Sequence, residues 1–161
     1  MRKTLLIISV LFISVGCYAA SDQEKTTTPL EIKVGYVTDA HAPPGCGCLY
    51  YWPTDEISRE SRGIFSSVED KEAWMHLNGK DVKLKLVKST QSEKNSTKGG
   101  RFHEIYRYKN MTIRIDYLVT WTCEADDPES ESCEVTYYDL NIMFTRQGRK
   151  KTISAKGACG C

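Results

Sequence analysis

The sequence predicts an all-β domain, an antiparallel β-sandwich or small β-barrel with at most one short helix, stapled by disulfides. Three features point there. Apolar and polar residues alternate in several stretches, turn residues separate those stretches, and six cysteines remain once the N-terminal segment is set aside.

The clearest alternation runs from Met111 to Cys123. Met111, Ile113, Ile115, Tyr117, Val119, Trp121 and Cys123 share one face, and Thr112, Arg114, Asp116 and Thr120 the other. Val82-Lys83-Leu84-Lys85-Leu86 repeats the pattern over a shorter span. A further strand begins at Cys133 and changes phase between Tyr137 and Tyr138, as a β-bulge within it would require. Glu31 to Thr38, Leu49 to Trp52, Phe102 to Tyr108 and Lys151 to Ala155 are weaker strand candidates. Asn78-Gly79 and Gln147-Gly148 read as tight turns. Lys88 to Gly100 reads as a flexible polar loop. The only stretch with helix-forming composition is Glu56 to Glu72 with Ala73 and Trp74 beyond it, and it lacks a long apolar stripe.

Export is expected from the first residues. Arg2 and Lys3 precede an apolar run from Leu5 to Val15, followed by Gly16, Cys17, Ala19 and Ala20. This run is too short for a transmembrane span, which needs roughly 18 apolar residues. Small residues permit cleavage after Ala19 or after Gly16. Ser14-Val15-Gly16-Cys17 is also similar to a bacterial lipobox, departing from it at Ser14, and cleavage before Cys17 would leave that cysteine as a lipid anchor. The expected organisation is a signal sequence over 1–19, a flexible segment over 20–30 and one domain over 31–161. The destination is periplasmic or extracellular, free or tethered through a lipid.

Charge excludes one class of partner. The chain has 22 basic and 21 acidic residues, and loss of Arg2 and Lys3 reverses the balance to 20 against 21. Nucleic-acid binding normally shows as a basic excess, so no nucleic acid is expected.

In an oxidising compartment six cysteines favour three bridges. Cys123 and Cys133 flank a nine-residue connection and suit a hairpin disulfide. Cys46-Gly47-Cys48 and Cys159-Gly160-Cys161 are two copies of one motif. If the two segments lie side by side, antiparallel pairing joins Cys46 to Cys161 and Cys48 to Cys159; parallel pairing joins Cys46 to Cys159 and Cys48 to Cys161. Under this reading no cofactor is expected. The alternative is a thiolate site for Cu or Zn built from Cys46, Cys48, Cys159 and Cys161, with His41 nearby, although structural zinc prefers longer spacing within each pair.

Two further groups are candidate binding residues. Asp126, Asp127, Glu129 and Glu131 lie in the acidic connection between Cys123 and Cys133. Tyr50, Tyr51 and Trp52 are successive aromatics able to stack on a sugar or peptide. His41, His76 and His103 are far apart in sequence, and no Gly-X-Ser-X-Gly elbow is present. The leading expectation is a binding or inhibitory module of the cell envelope whose partner is a protein or small ligand. Metal carriage is the runner-up, and an envelope enzyme has no residue to carry it.

Overall fold

A computed structural model describes residues 30–43, 45–56, 62–68, 72–123 and 134–161. Nine strands follow in chain order: β1 (Val34–Gly35), β2 (Gly47–Tyr51), β3 (Phe65–Val68), β4 (Glu72–Leu77), β5 (Lys80–Ser89), β6 (Arg101–Tyr108), β7 (Met111–Thr122), β8 (Thr136–Arg146) and β9 (Arg149–Gly160). From β2 to β9 each strand pairs antiparallel with the next, and β9 returns to pair with β2. The all-β expectation therefore resolves to a closed, eight-stranded, up-and-down barrel. β1 lies outside the ring, against Leu77 and His76 of β4.

Alternation sets which residues enter the barrel. Met75, Ile113, Ile115, Ile142 and Phe144 are fully buried inside it. Lys83, Lys85, Arg114, Asp116 and Lys156 occupy the opposite phase on their strands. Asn78-Gly79 and Gln147-Gly148 are the expected two-residue turns. Both residues of each pair have positive φ (52° and 86°, 51° and 75°), which matches the twist of the flanking strands. The turns at 78–79, 109–110 and 147–148 gather at one end. There the N-terminal segment crosses the barrel, with Leu30 and Ile32 buried in the core and Lys151 Nζ donating to the Ile32 carbonyl at 2.6 Å. Leu30, which the sequence assigned to a flexible segment, belongs to the folded domain.

The last pairing, β2 with β9, makes the ring. Its register sets Cys48 opposite Cys159 and Gly47 opposite Gly160. The two motifs are thus antiparallel, with disulfides Cys46–Cys161 and Cys48–Cys159 spanning 115 and 111 residues of sequence. Gly157, inside the barrel on β9, has no room for a side chain. A Cβ there would stand 2.3 Å from the Leu49 carbonyl oxygen and 2.6 Å from Cδ1 of Tyr50. Its bareness lets the Tyr50 ring lie against the seam.

The expectation of at most one short helix holds, with no α-helix among the described residues. Phe65–Val68 is β3, and β4 starts at Glu72. Burial of Ile64 and Phe65 and ladder pairing with β2 and β4 override the helix-forming composition. Two other expectations need correction. The bulge expected in β8 instead lies on β7, where Val119 pairs with Tyr138 but Trp121 pairs with Tyr137. The extra residue turns Trp121 out of the interior phase, so Trp121 and Tyr137 are exposed and stack edge to face at 5.7 Å. Finally, the 88–100 stretch is not a slack loop. β5 continues to Ser89, and a single 3-10 turn (Glu93–Asn95) is tied by Ser92 N–H to Asn95 Oδ1 and by Asn95 Nδ2 to the Thr90 carbonyl. Among the described residues no helix is long and apolar enough to cross a membrane.

Candidate functional site

The barrel interior holds one continuous core, and beside the disulfide seam that core leaves an open cavity of about 470 Å³. It is lined by the buried aromatics Tyr50, Phe102, Tyr106, Tyr117 and Tyr138, with Cys48 and Cys159 in the wall. Leu86, 40 % exposed, stands with Glu72 and Gln91 at the rim and connects the cavity to solvent. β5 bulges at this rim, stepping from Leu86 to Lys88 against consecutive residues of β6.

The wall is built by strand alternation. On β6, Phe102, Glu104 and Tyr106 share the interior phase, which brings a carboxylate inside an otherwise aromatic chamber. Tyr106 and Tyr117 each donate a hydrogen bond to Glu104 Oε2 at 2.7 Å. The Phe102 and Tyr117 rings are stacked at 4.5 Å, and Tyr138 meets both edge to face at 6.0 and 5.8 Å. Tyr50 stacks on Phe65 at 5.3 Å and donates to Sγ of Cys159 at 3.1 Å, since a disulfide sulfur carries no proton.

Burial is the main influence on these phenols. Burial, followed by Tyr138 and Glu104, pushes Tyr50 well above the ordinary tyrosine range. Burial with Tyr50, Tyr106 and Glu104 does the same to Tyr117. Tyr106 is raised by burial and Glu104, and Tyr138 chiefly by burial. All four stay protonated at any physiological pH, so the cavity is lined by neutral phenols with Glu104 among them and Glu72 at the rim.

A second cluster lies on the outside of the barrel. Trp74 and His76 of β4 and Asp81 of β5 face outward, with His76 directly opposite Asp81. The segment after β1 folds over them. The His41 ring stacks on Trp74 at 3.7 Å, and the Ser66 hydroxyl donates to the His41 carbonyl at 2.7 Å. The Asp81 carboxylate receives the Thr38 N–H at 2.9 Å and the Thr38 hydroxyl at 2.5 Å. His41 Nδ1 lies 2.9 Å from one of its oxygens and His76 Nδ1 lies 2.7 Å from the other. Burial alone would raise the Asp81 carboxyl. The hydrogen bonds from Thr38, His41 and His76 outweigh it and hold the group well below the usual carboxylate range. The cluster clamps the N-terminal segment to the barrel wall.

A stability prediction follows from this clamp. Asp81→Asn should lower unfolding free energy by about 2 kcal/mol at pH 7, as expected for hydrogen bonds to a charged group. Because the folded carboxyl is depressed, its contribution is complete above the ordinary carboxylate value near ~4 and is lost as pH falls toward the lowered value. Urea unfolding of both proteins should show a gap that is present at pH 5 and shrinks in stronger acid. A gap as large at pH 2 as at pH 7 would contradict this account.

The residues singled out in the sequence fare differently. Tyr50 is an interior residue of the cavity and Tyr51 is also buried, at 2 and 6 % exposure. Trp52 packs against the core. They form no exposed stacking platform, because alternation along β2 sends neighbours to opposite faces and both faces are covered. Asp126, Asp127, Glu129 and Glu131 lie outside the described residues, as do Cys17 and Cys133; Cys123 is itself oxidised in a disulfide. Cys46, Cys48, Cys159 and Cys161 are paired with one another rather than arranged around a common centre, and in this form they offer no thiolate. Among the described residues, no three His, Cys, Asp or Glu side chains converge as a metal site would require.

Sequence reasoning missed Glu104. Its signal was an acid occupying the apolar phase between Phe102 and Tyr106, which a count of alternation along β6 exposes. It also kept His41 and His76 apart, and only the fold brings both to Asp81. No protein family, curated protein or solved structure matches the chain.

Proposed function

We propose that the protein is an exported binding module that carries one small ligand in the open cavity of its barrel. The cavity carries this reading. Its size is within the roughly 300–1,000 Å³ usual for small-molecule sites, and its lining combines aromatic side chains with placed polar groups able to fix an orientation. An eight-stranded barrel is wide enough for either packed side chains or one small ligand, and in this chain an open cavity remains beside the packed core. The two bridges support the same reading. They hold the seam beside the cavity in one geometry, so little conformational freedom remains to be lost on binding. Their presence also suits an oxidising compartment outside the cytoplasm.

The test uses protein exported by its own leader and the neutral dye N-phenyl-1-naphthylamine, whose fluorescence rises in apolar surroundings. Saturable binding of one dye per chain is expected. Ser67→Trp, which places a large ring at the rim, should abolish it while leaving the unfolding midpoint close to that of the parent. Absence of any saturable enhancement in the parent protein would sink the proposal.

A protein-binding face is a second reading, favoured by the exposed Trp121–Tyr137 pair, which flanks the acidic 124–131 stretch in sequence. Charge reversal at Asp126, Asp127 and Glu129 should then release a partner captured by the native protein, and a partner that stays bound would refute it.

A further inference from the structure

We infer that the ligand held in the barrel is an organic cation, an amine or quaternary ammonium compound, recognised by Glu104 and the aromatic wall around it. This inference rests on the proposal that the cavity is the binding site and adds the chemical class of its occupant.

Charge is the first observation. Among the described residues, two carboxylates line the cavity and no Lys, Arg or His does. Glu72, at the rim, is paired with Lys83. Glu104 has no cationic partner among the described residues; the basic residues of its own strand, Arg101, His103 and Arg107, occupy the opposite phase. A carboxylate withdrawn from bulk water normally finds a positive charge, because two phenol hydrogen bonds replace only part of its hydration.

Geometry is the second. Both phenols donate to Oε2, and among the described residues Oε1 has no protein hydrogen bond. Oε1 is not sealed off, since no buried side-chain oxygen among the described residues lacks a partner. One oxygen of Glu104 is thus oriented by Tyr106 and Tyr117, and the other is open to whatever enters.

The surroundings are the third. Tyr50, Phe102, Tyr106, Tyr117 and Tyr138 line the same cavity as the carboxylate, and the phenols stay neutral. Aromatic faces attract cations through their quadrupoles, more strongly when water is excluded, and an aromatic cage with one carboxylate is a natural receptor for an alkylated ammonium group. An anionic ligand would meet Glu104 without a neutralising partner. A purely apolar ligand would leave Oε1 desolvated and unpaired.

The test compares choline with 3,3-dimethylbutan-1-ol, which has the same shape with carbon in place of the charged nitrogen. Each is titrated into the exported protein by calorimetry and by displacement of N-phenyl-1-naphthylamine. Choline should bind at least about tenfold more tightly than the neutral alcohol. Glu104→Gln, which keeps an oxygen to accept the two phenols, should bring the two affinities to within about twofold in a protein whose circular dichroism spectrum matches the parent's. Equal affinities in the native protein would overturn the inference, and that comparison needs no variant to fold. A choline preference that survives Glu104→Gln in such a protein would also overturn it. In either case dye binding by the native protein keeps the cavity proposal standing, whereas loss of dye, choline and alcohol binding together from the native protein would refute both.

Discussion

Replacing Cys46, Cys48, Cys159 and Cys161 together by serine should destabilise the domain by about 5–7 kcal/mol, whereas removing either bridge alone should cost about 2 kcal/mol. The asymmetry comes from what each bridge constrains. Either disulfide alone closes a loop of more than one hundred residues, since the paired cysteines are separated by 115 and 111 positions. Once one is formed, the other closes only the short ring between neighbouring rungs of the β2–β9 ladder. The combined loss should therefore exceed the sum of the two separate losses. With a typical domain stability of about 5–15 kcal/mol, the fourfold variant sits at or beyond the edge of folding. Urea unfolding of the native chain, the two pair variants and the fourfold variant measures this directly. Strict additivity would show that the bridges act by local packing rather than by holding the barrel's seam.

Phe65→Ala should cost about 3–5 kcal/mol, the usual range for truncating a fully buried phenylalanine. Phe65 is inaccessible to solvent, stacks on Tyr50 at 5.3 Å and meets Tyr106 edge to face at 5.8 Å, so its loss opens a hole beneath the cavity floor. Val68→Ala, three residues along at the rim end of the same strand, should cost under about 1 kcal/mol. The pair also separates strand from helix. On a helix residues three apart share a face and both changes would be severe; on β3 they alternate, and only Phe65 is central. Comparable losses at the two positions in thermal unfolding would argue against β3.

How much of this was readable depends on the range of the interaction. Val82 to Leu86 and Met111 to Val119 announce strands because period-two burial is a local consequence of the pleated backbone. Asn78-Gly79 announces a hairpin because positive φ at both positions selects such residues. Phe65 gave no such signal: β3 is four residues long, and its neighbours Glu72 and Ala73 are better helix formers than strand formers. Trp121 carried a misleading one, because a single bulged residue reverses the face of everything after it and no composition marks its position.

The sequence by itself determined that the chain is built of antiparallel strands, where two of its tight turns fall, and that alternate cysteines in two matching motifs can bridge as a pair. These follow from the sterics of a few consecutive residues. The tertiary structure alone decided that the sheet closes, that the two motifs meet at the seam, that Tyr50 is interior while Trp121 is not, and that Glu104 lines a cavity with no cationic partner among the described residues. Closure depends on the number, tilt and stagger of all eight strands at once. Whether an interior is filled depends on the summed volume of side chains contributed by distant parts of the chain. Neither quantity belongs to any local stretch, and the candidate site is made of both.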